Sequence, residues 1–114
     1  MNTVLLIGNL ATDIELKDVA PDMKVASFLL AVDRPGRDSG ADFVQVATWN
    51  RQAEVCDEYL SKGSKIAIDG RLRSRSWEDE DGKRRTAIEV VANRVQFLDS
   101  RSRDETPFDA LAPA

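Results

Sequence analysis

The sequence has 114 residues, which suits one domain, and its apolar fraction of 42% is enough for one modest core. It has a single cysteine, Cys56, so it cannot form an internal disulfide framework. It has no histidine, so it lacks the commonest general base and metal ligand of proteins. No apolar run approaches the roughly 20 residues that span a bilayer, and residues 1–4 lack the basic region of a secretory signal. We therefore expect a cytoplasmic protein with no membrane contact.

The net charge of −4 hides an uneven distribution along the chain. Between Lys62 and Trp77 there are five basic residues and one acidic residue, Asp69. After Phe97 there are four acidic residues and two arginines. A basic stripe followed by an acidic tail favours a nucleic-acid-binding protein more than the average charge suggests.

The first half of the chain predicts three strands. The first covers residues 4–10, is apolar on both faces, and continues through 14–16 after a bend. The second covers residues 25–32 and follows a turn at Pro21. The third covers residues 43–49 with clear alternation, and the Pro/Gly/Ser composition of 34–40 indicates a hairpin loop.

The second half predicts a helix and two strands. Asn50 can cap a helix over 51–60, whose apolar face carries Ala53, Cys56 and Leu60, and Gly63 can end it. Residues 65–77 form a fourth strand, Asp81-Gly82 is a hairpin turn signal, and residues 85–98 form a fifth strand.

Five strands with a helix between the third and fourth is the order of the OB-fold, an all-β, partly open Greek-key barrel. We expect residues 1–98 to form this domain. Residues 99–114 show no periodicity, so we expect a disordered acidic C-terminal tail.

Strand alternation predicts which side chains face outward. In the third strand Val44 and Val46 face one way, whereas Phe43, Gln45, Ala47 and Trp49 face the other.

In the fourth strand Ile66, Ile68 and Leu72 are predicted to face inward. The residues predicted to face outward are Asp69, Arg71, Arg73, Arg75 and Trp77. A strand surface on which three arginines alternate and a tryptophan follows in phase is unusual.

This combination of residue types fits single-stranded nucleic acid. Unpaired bases stack on aromatic rings at about 1–3 kcal/mol per base, and arginine binds phosphate and can also lie flat on a base. The predicted stacking residues are Phe43, Trp49 and Trp77. The predicted phosphate- or base-binding residues are Arg71, Arg73 and Arg75, with Arg34 and Arg37 in the loop and Arg85 at the hairpin.

Other interpretations stay open at this stage. Phe43 and Trp49 could belong to the core, and the arginines could form a solvated edge that resists aggregation. The acidic run at 78–81 could suggest a metal, but its spacing favours a solvated turn. A rival function is an OB-fold protein-interaction module of a primosome or a translation complex. We expect no enzymatic activity, no cofactor and no metal.

From Asn2 to about Leu98 the sequence resembles the bacterial single-stranded DNA-binding protein family. The motifs that carry the resemblance are IGNL followed by Asp13, FLLAV at 28–32, WNRQAE at 49–54, YLSKGS at 59–64 and IDGRL at 68–72. The resemblance implies a homotetramer of OB-folds, nucleoid-associated, that wraps single-stranded DNA with little sequence preference in replication, recombination or repair. It also implies base stacking by Phe43, Trp49 and Trp77.

The sequence departs from the family at several places, among them Ile14, where proline is usual, and residues 22–24, which lack the usual turn glycine. Pro35-Gly36-Arg37 stands where many members carry another stacking tryptophan. Residues 104–108 look like the family's acidic tip, which binds DNA-maintenance enzymes, but here Pro107 and Phe108 are followed by Asp109 and further residues. Asp109 could replace the carboxylate of a terminal tip. The nearly absent linker would suit a short accessory paralogue or a phage or plasmid copy.

Overall fold

The computed structural model describes residues 1–36 and 40–98. Strands and one helix follow one another in the order β1 (Val4–Leu10), β2 (Glu15–Ala20), β3 (Met23–Asp33), β4 (Ala41–Trp49), α1 (Asn50–Tyr59), β5 (Lys65–Glu78) and β6 (Arg84–Phe97). The predicted strands are confirmed, and the predicted continuation of the first strand is a separate strand, β2, beyond the bend.

Five strands close into a ring, in which β1 pairs with β5, β5 with β6, β6 with β4, β4 with β3, and β3 again with β1. Two of these strand pairings are short, with two residue pairs each. β1 meets β3 only at Asn9 and Leu10, and the parallel β4–β6 contact has two residue pairs. β2 lies outside the ring on β3. The predicted OB-fold is confirmed. It is a partly open barrel whose helix lies between the predicted third and fourth strands, here β4 and β5.

The core lies inside the ring, where alternate residues of each strand meet. Leu30, Val46, Ile66 and Val90 are buried at its centre. Helix α1 packs against β3 and β4 and contributes Ala53 and Cys56, and Leu60, predicted for the same face, is buried directly after the helix ends.

Two glycines permit close approach of neighbouring strands. A Cβ at Gly8 would lie 2.3 Å from the carbonyl oxygen of Ala31, where β1 meets β3. A Cβ at Gly70 would lie 2.2 Å from the carbonyl oxygen of Val91, beside the irregularity in the β5–β6 register. Two of the recognised motifs, IGNL and IDGRL, therefore contain a residue that the barrel itself requires.

The predicted capping role of Asn50 is wrong. Asn50 is the first residue of α1 and has φ +56°, and no side chain caps the helix start. Its side-chain oxygen instead accepts a hydrogen bond from the backbone N–H of Lys24 at 3.2 Å, which fastens the helix start to β3. Asparagine tolerates this left-handed conformation better than most residues do.

The predicted burial of Leu72 is also wrong, since this side chain is 47% exposed. The ladder between β1 and β5 ends at the Val4–Gly70 pair, whereas β5 and β6 continue as a two-stranded arm to Glu78 and Arg84. Alternation predicts correctly which way Leu72 points, but no third strand from the described part of the chain covers that side of the arm.

Candidate nucleic-acid interface

The three predicted stacking residues lie on the surface. Phe43 is 64% exposed on β4, Trp77 is 42% exposed near the end of β5, and Trp49 is partly exposed at the end of β4. Val46, the alternate neighbour on β4, is buried in the core. The interpretation that places Phe43 and Trp49 in the core is therefore wrong.

The register of the β5–β6 arm sets the residues that face one another. Arg71 lies opposite Val91, Arg73 opposite Glu89, and Arg75 opposite Ala87. Because side chains alternate, the three arginines share one side of β5, as predicted. Arg71 is exposed and makes no ion pair within the described part of the chain.

Two of these arginines lie over the two tryptophan rings. The guanidinium carbon of Arg73 is 5.7 Å from the ring centroid of Trp49, and that of Arg75 is 5.0 Å from the ring centroid of Trp77. Both distances fall within the range of cation–π attraction. The fold thus brings predicted phosphate-binding and predicted base-stacking residues together on one outer surface of β4 and β5.

Glu89 is the residue that sequence reasoning missed. Its side chain is 7% exposed, and its two oxygens bind different arginines: Oε2 lies 2.6 Å from Arg73 Nη2, and Oε1 lies 3.1 Å from Arg75 Nε. A signal was available, because a hairpin centred on Asp81 places Glu89 opposite Arg73. This register would have placed Glu89, which precedes the apolar run 90–92, on the side of the β5–β6 arm that carries the arginines.

Two of the other predicted arginines, Arg34 and Arg85, are engaged in local contacts. Arg34 donates through Nε to Asp42 at 2.9 Å in an exposed pair at the loop after β3. Arg85 donates through Nε to Asp79 at 2.7 Å in the hairpin turn. Arg37 lies outside the described residues, as do Pro107, Phe108 and Asp109.

The acidic run at 78–81 forms a turn. Asp79 accepts backbone hydrogen bonds from Asp81 and Lys83 as well as the bond from Arg85, and the Arg85 bond is the largest cause of the lowered pKa of Asp79. Within residues 1–36 and 40–98 no cluster of side chains could hold a metal ion. In the same residues, no helix is long and apolar enough to cross a membrane.

Residues 1–98 match the family described as the single-strand binding protein family. The chain belongs to this family. The resemblance inferred from the motifs is therefore confirmed.

Relatives in this single-strand binding family come from several bacteria. The chain is 43% identical over 105 residues to single-stranded DNA-binding protein 3 of Listeria innocua, covering 89% of the chain and 66% of the relative. It is 39% identical over 113 residues to single-stranded DNA-binding protein 1 of Staphylococcus aureus, covering 96% and 72%. It is 46% identical over 103 residues to single-stranded DNA-binding protein 3 of Clostridium acetobutylicum, covering 87% and 72%. The aligned part thus spans about two thirds to three quarters of each relative.

Proposed function

We propose that the chain binds single-stranded DNA with little sequence preference, through the outer side of β4, β5 and β6. The observation that carries the proposal is the arrangement of arginines over exposed tryptophan rings. The names of the relatives support the choice of DNA. We define the stacking face by six residues: Phe43, Trp49, Trp77, Arg71, Arg73 and Arg75.

The stacking face joins two kinds of attraction that single strands need. Exposed rings offer flat apolar surface to any unpaired base, and every base has such a face, so stacking discriminates little between sequences. Arginines beside the rings meet the phosphates between successive bases. In this proposal Arg34, Arg37 and Arg85 bind phosphates of the strand beyond the stacking face.

The domain assembles as a homotetramer in this proposal. Leu5 and Ile7 are 70% and 57% exposed on the outer side of β1 and border a groove of about 370 Å³ that reaches across β5 to β6. Among the described residues, 4–8 of β1 pair with β5 alone. An apolar surface beside an open strand edge favours pairing with another copy.

Residues 1–98 are the DNA-binding domain in this proposal, and residues 99–114, which lie outside the described residues, are an acidic tail. The protein acts in the cytoplasm, at the nucleoid, in replication, recombination or repair. The tail recruits DNA-maintenance enzymes through Pro107, Phe108 and Asp109. Replacing Pro107 and Phe108 by alanine should then abolish enzyme binding while the affinity for DNA stays the same.

A fluorescence titration tests the DNA-binding function directly. Oligo-dT should quench the tryptophan fluorescence of the whole chain, because Trp49 and Trp77 stack on bases, and a duplex of equal length should bind much more weakly. Equal affinity for the duplex would contradict stacking. No binding to either would favour the protein-interaction module, and equal binding of oligo-U would extend the function to RNA.

A further inference from the structure

Glu89 occupies an unexpected place for a carboxylate. It lies among the arginines of the stacking face, where phosphates of a bound strand would approach, and it is almost fully buried. A carboxylate repels phosphate, and its burial carries a desolvation cost. If the stacking face acted only through its positive charge, a neutral residue here would serve it better.

The contacts of Glu89 indicate a different role. Its two oxygens hold Arg73 and Arg75, and each of these guanidinium groups lies over a different tryptophan ring. Trp49, Arg73, Glu89, Arg75 and Trp77 thus form one continuous chain of contacts across β4, β5 and β6. Glu89 is its central link, because it is the group that joins the two arginines.

The geometry of Arg73 shows how strongly it is held. Its Nε is buried and has no hydrogen-bond acceptor within the described part of the chain, although its Nη2 donates to Glu89 at 2.6 Å. A buried donor without a partner is unfavourable, so this conformation of Arg73 depends on the contacts of its guanidinium with Glu89 and Trp49. The side chain is therefore restrained before any strand arrives.

We propose that Glu89 is a positioning residue for strand binding, an inference that rests on the proposed function. By fixing two long side chains and the rings beneath them, it removes conformational entropy that binding would otherwise have to remove. Its negative charge weakens the general attraction for phosphate, and the preorganised stacking geometry outweighs that loss.

The direction in which one substitution changes the affinity for oligo-dT distinguishes a positioning role of Glu89 from a purely electrostatic one. Glu89→Gln keeps the shape of the side chain and removes its charge. If Glu89 acts only as a charge, this variant binds oligo-dT more tightly. If Glu89 positions the arginines, the variant binds about fivefold to tenfold more weakly, and the loss persists at high salt, where phosphate attraction is screened.

Glu78→Gln is the matched control. Glu78 is an exposed acid on β5, the strand that carries the arginines, and it makes no ion pair among the described residues, so removing its charge should strengthen binding by about twofold or less. Glu89→Asp keeps the charge but withdraws the carboxylate by one methylene, and should weaken binding as Glu89→Gln does. Thermal unfolding confirms that each variant is folded at the assay temperature.

A measurement on the unaltered protein covers the case in which the Glu89 variants fail to fold. NMR of the arginine Nε–H groups should show slow guanidinium rotation for Arg73 and Arg75 in the absence of DNA, and fast rotation for Arg71. Equally fast rotation of all three would overturn the proposal. So would a folded Glu89→Gln variant that binds as tightly as the unaltered chain. If the unaltered chain does not bind oligo-dT, the proposed function fails as well.

Discussion

Arg75 lies over the indole ring of Trp77, with its guanidinium carbon 5.0 Å from the ring centroid, two residues away on the same side of β5. The contact is partly exposed, so it orients the ring without hiding it from a ligand. One side of the indole can face the guanidinium while the other meets a base. This relationship, repeated between Arg73 and Trp49 at 5.7 Å, gives the stacking face its alternating cationic and aromatic character.

Loss of an exposed ring should weaken DNA binding. Trp77→Ala and Phe43→Ala should each reduce the affinity for oligo-dT by about 1–3 kcal/mol, because each removes one base-stacking surface. Fluorescence or anisotropy titration measures the change. Tyr59→Phe is the control, since Tyr59 packs near Phe97 at the end of α1, away from the stacking face. An unchanged affinity for both alanine variants would exclude these residues from the site.

The salt dependence of DNA binding should show whether the arginines of the stacking face contact phosphates. Each phosphate contact contributes about −0.7 to the slope of log K against log salt for single strands, so Arg71→Ala and Arg73→Ala should each flatten that slope by about this amount. Lys17→Ala is a suitable control, because Lys17 is an exposed cation on β2 that pairs with Glu15. If the slope is unchanged when Arg71, Arg73 and Arg75 are replaced together, the arginines form only a solvated face.

Self-association should depend on the outer side of β1. Ile7→Glu places a charge in the exposed apolar surface, and burial of that charge between copies would be unfavourable. Light scattering at micromolar concentration should give a tetramer for the unaltered chain and a smaller mass for this variant. Val19→Glu is the matched control, since Val19 is exposed on β2. A monomeric mass for the unaltered chain would refute the proposed assembly.

The strands and the outward side chains of β4 and β5 were predictable from the sequence, because both follow from local alternation. Phe43, Trp49 and Trp77 are exposed for this reason. The exposure of Leu72 was not predictable, because it depends on where β1 stops covering β5. Which way a side chain points is a local property, whereas its burial depends on a strand that lies far away in the sequence.

The ion pairs of Glu89 with Arg73 and Arg75 could not be predicted from local sequence patterns, because they join residues that are distant in the sequence. The charge of Arg73 is evident from the sequence, but its partner Glu89 becomes evident only when the hairpin register is fixed. The start of α1 is similar, since Asn50 bonds to the backbone of Lys24 on another strand. These contacts form through tertiary structure, which local propensity does not encode.

Gly70 should be indispensable to the barrel. Gly70→Ala places a Cβ 2.2 Å from the Val91 carbonyl oxygen, so β5 and β6 must move apart, at a cost of about 1–3 kcal/mol in the free energy of unfolding. Gly40→Ala is the control, because no atom of the described residues lies within 4 Å of a Cβ there. Chemical denaturation compares the two. Equal stability of both variants would show that the strands separate at this point without loss.

Cys56 should be unreactive in the folded protein. The side chain is fully buried in the face of α1 that covers the core, and burial raises the pKa of its thiol from 9.0 to about 12. The thiolate is the reactive form, so a disulfide reagent at pH 8 should modify Cys56 only as fast as the chain unfolds, and denaturant should make the reaction rapid. The same shift makes stability depend on pH. Below pH 9.0 the thiol is protonated in both states, but between 9.0 and about 12 the unfolded chain releases its proton first, so this group's contribution to stability falls as the pH rises through that interval. Cys56→Ala provides the comparison, since it lacks the thiol and should lose less stability over the same pH range. Rapid modification of the native protein at pH 8 would contradict the burial of this side chain.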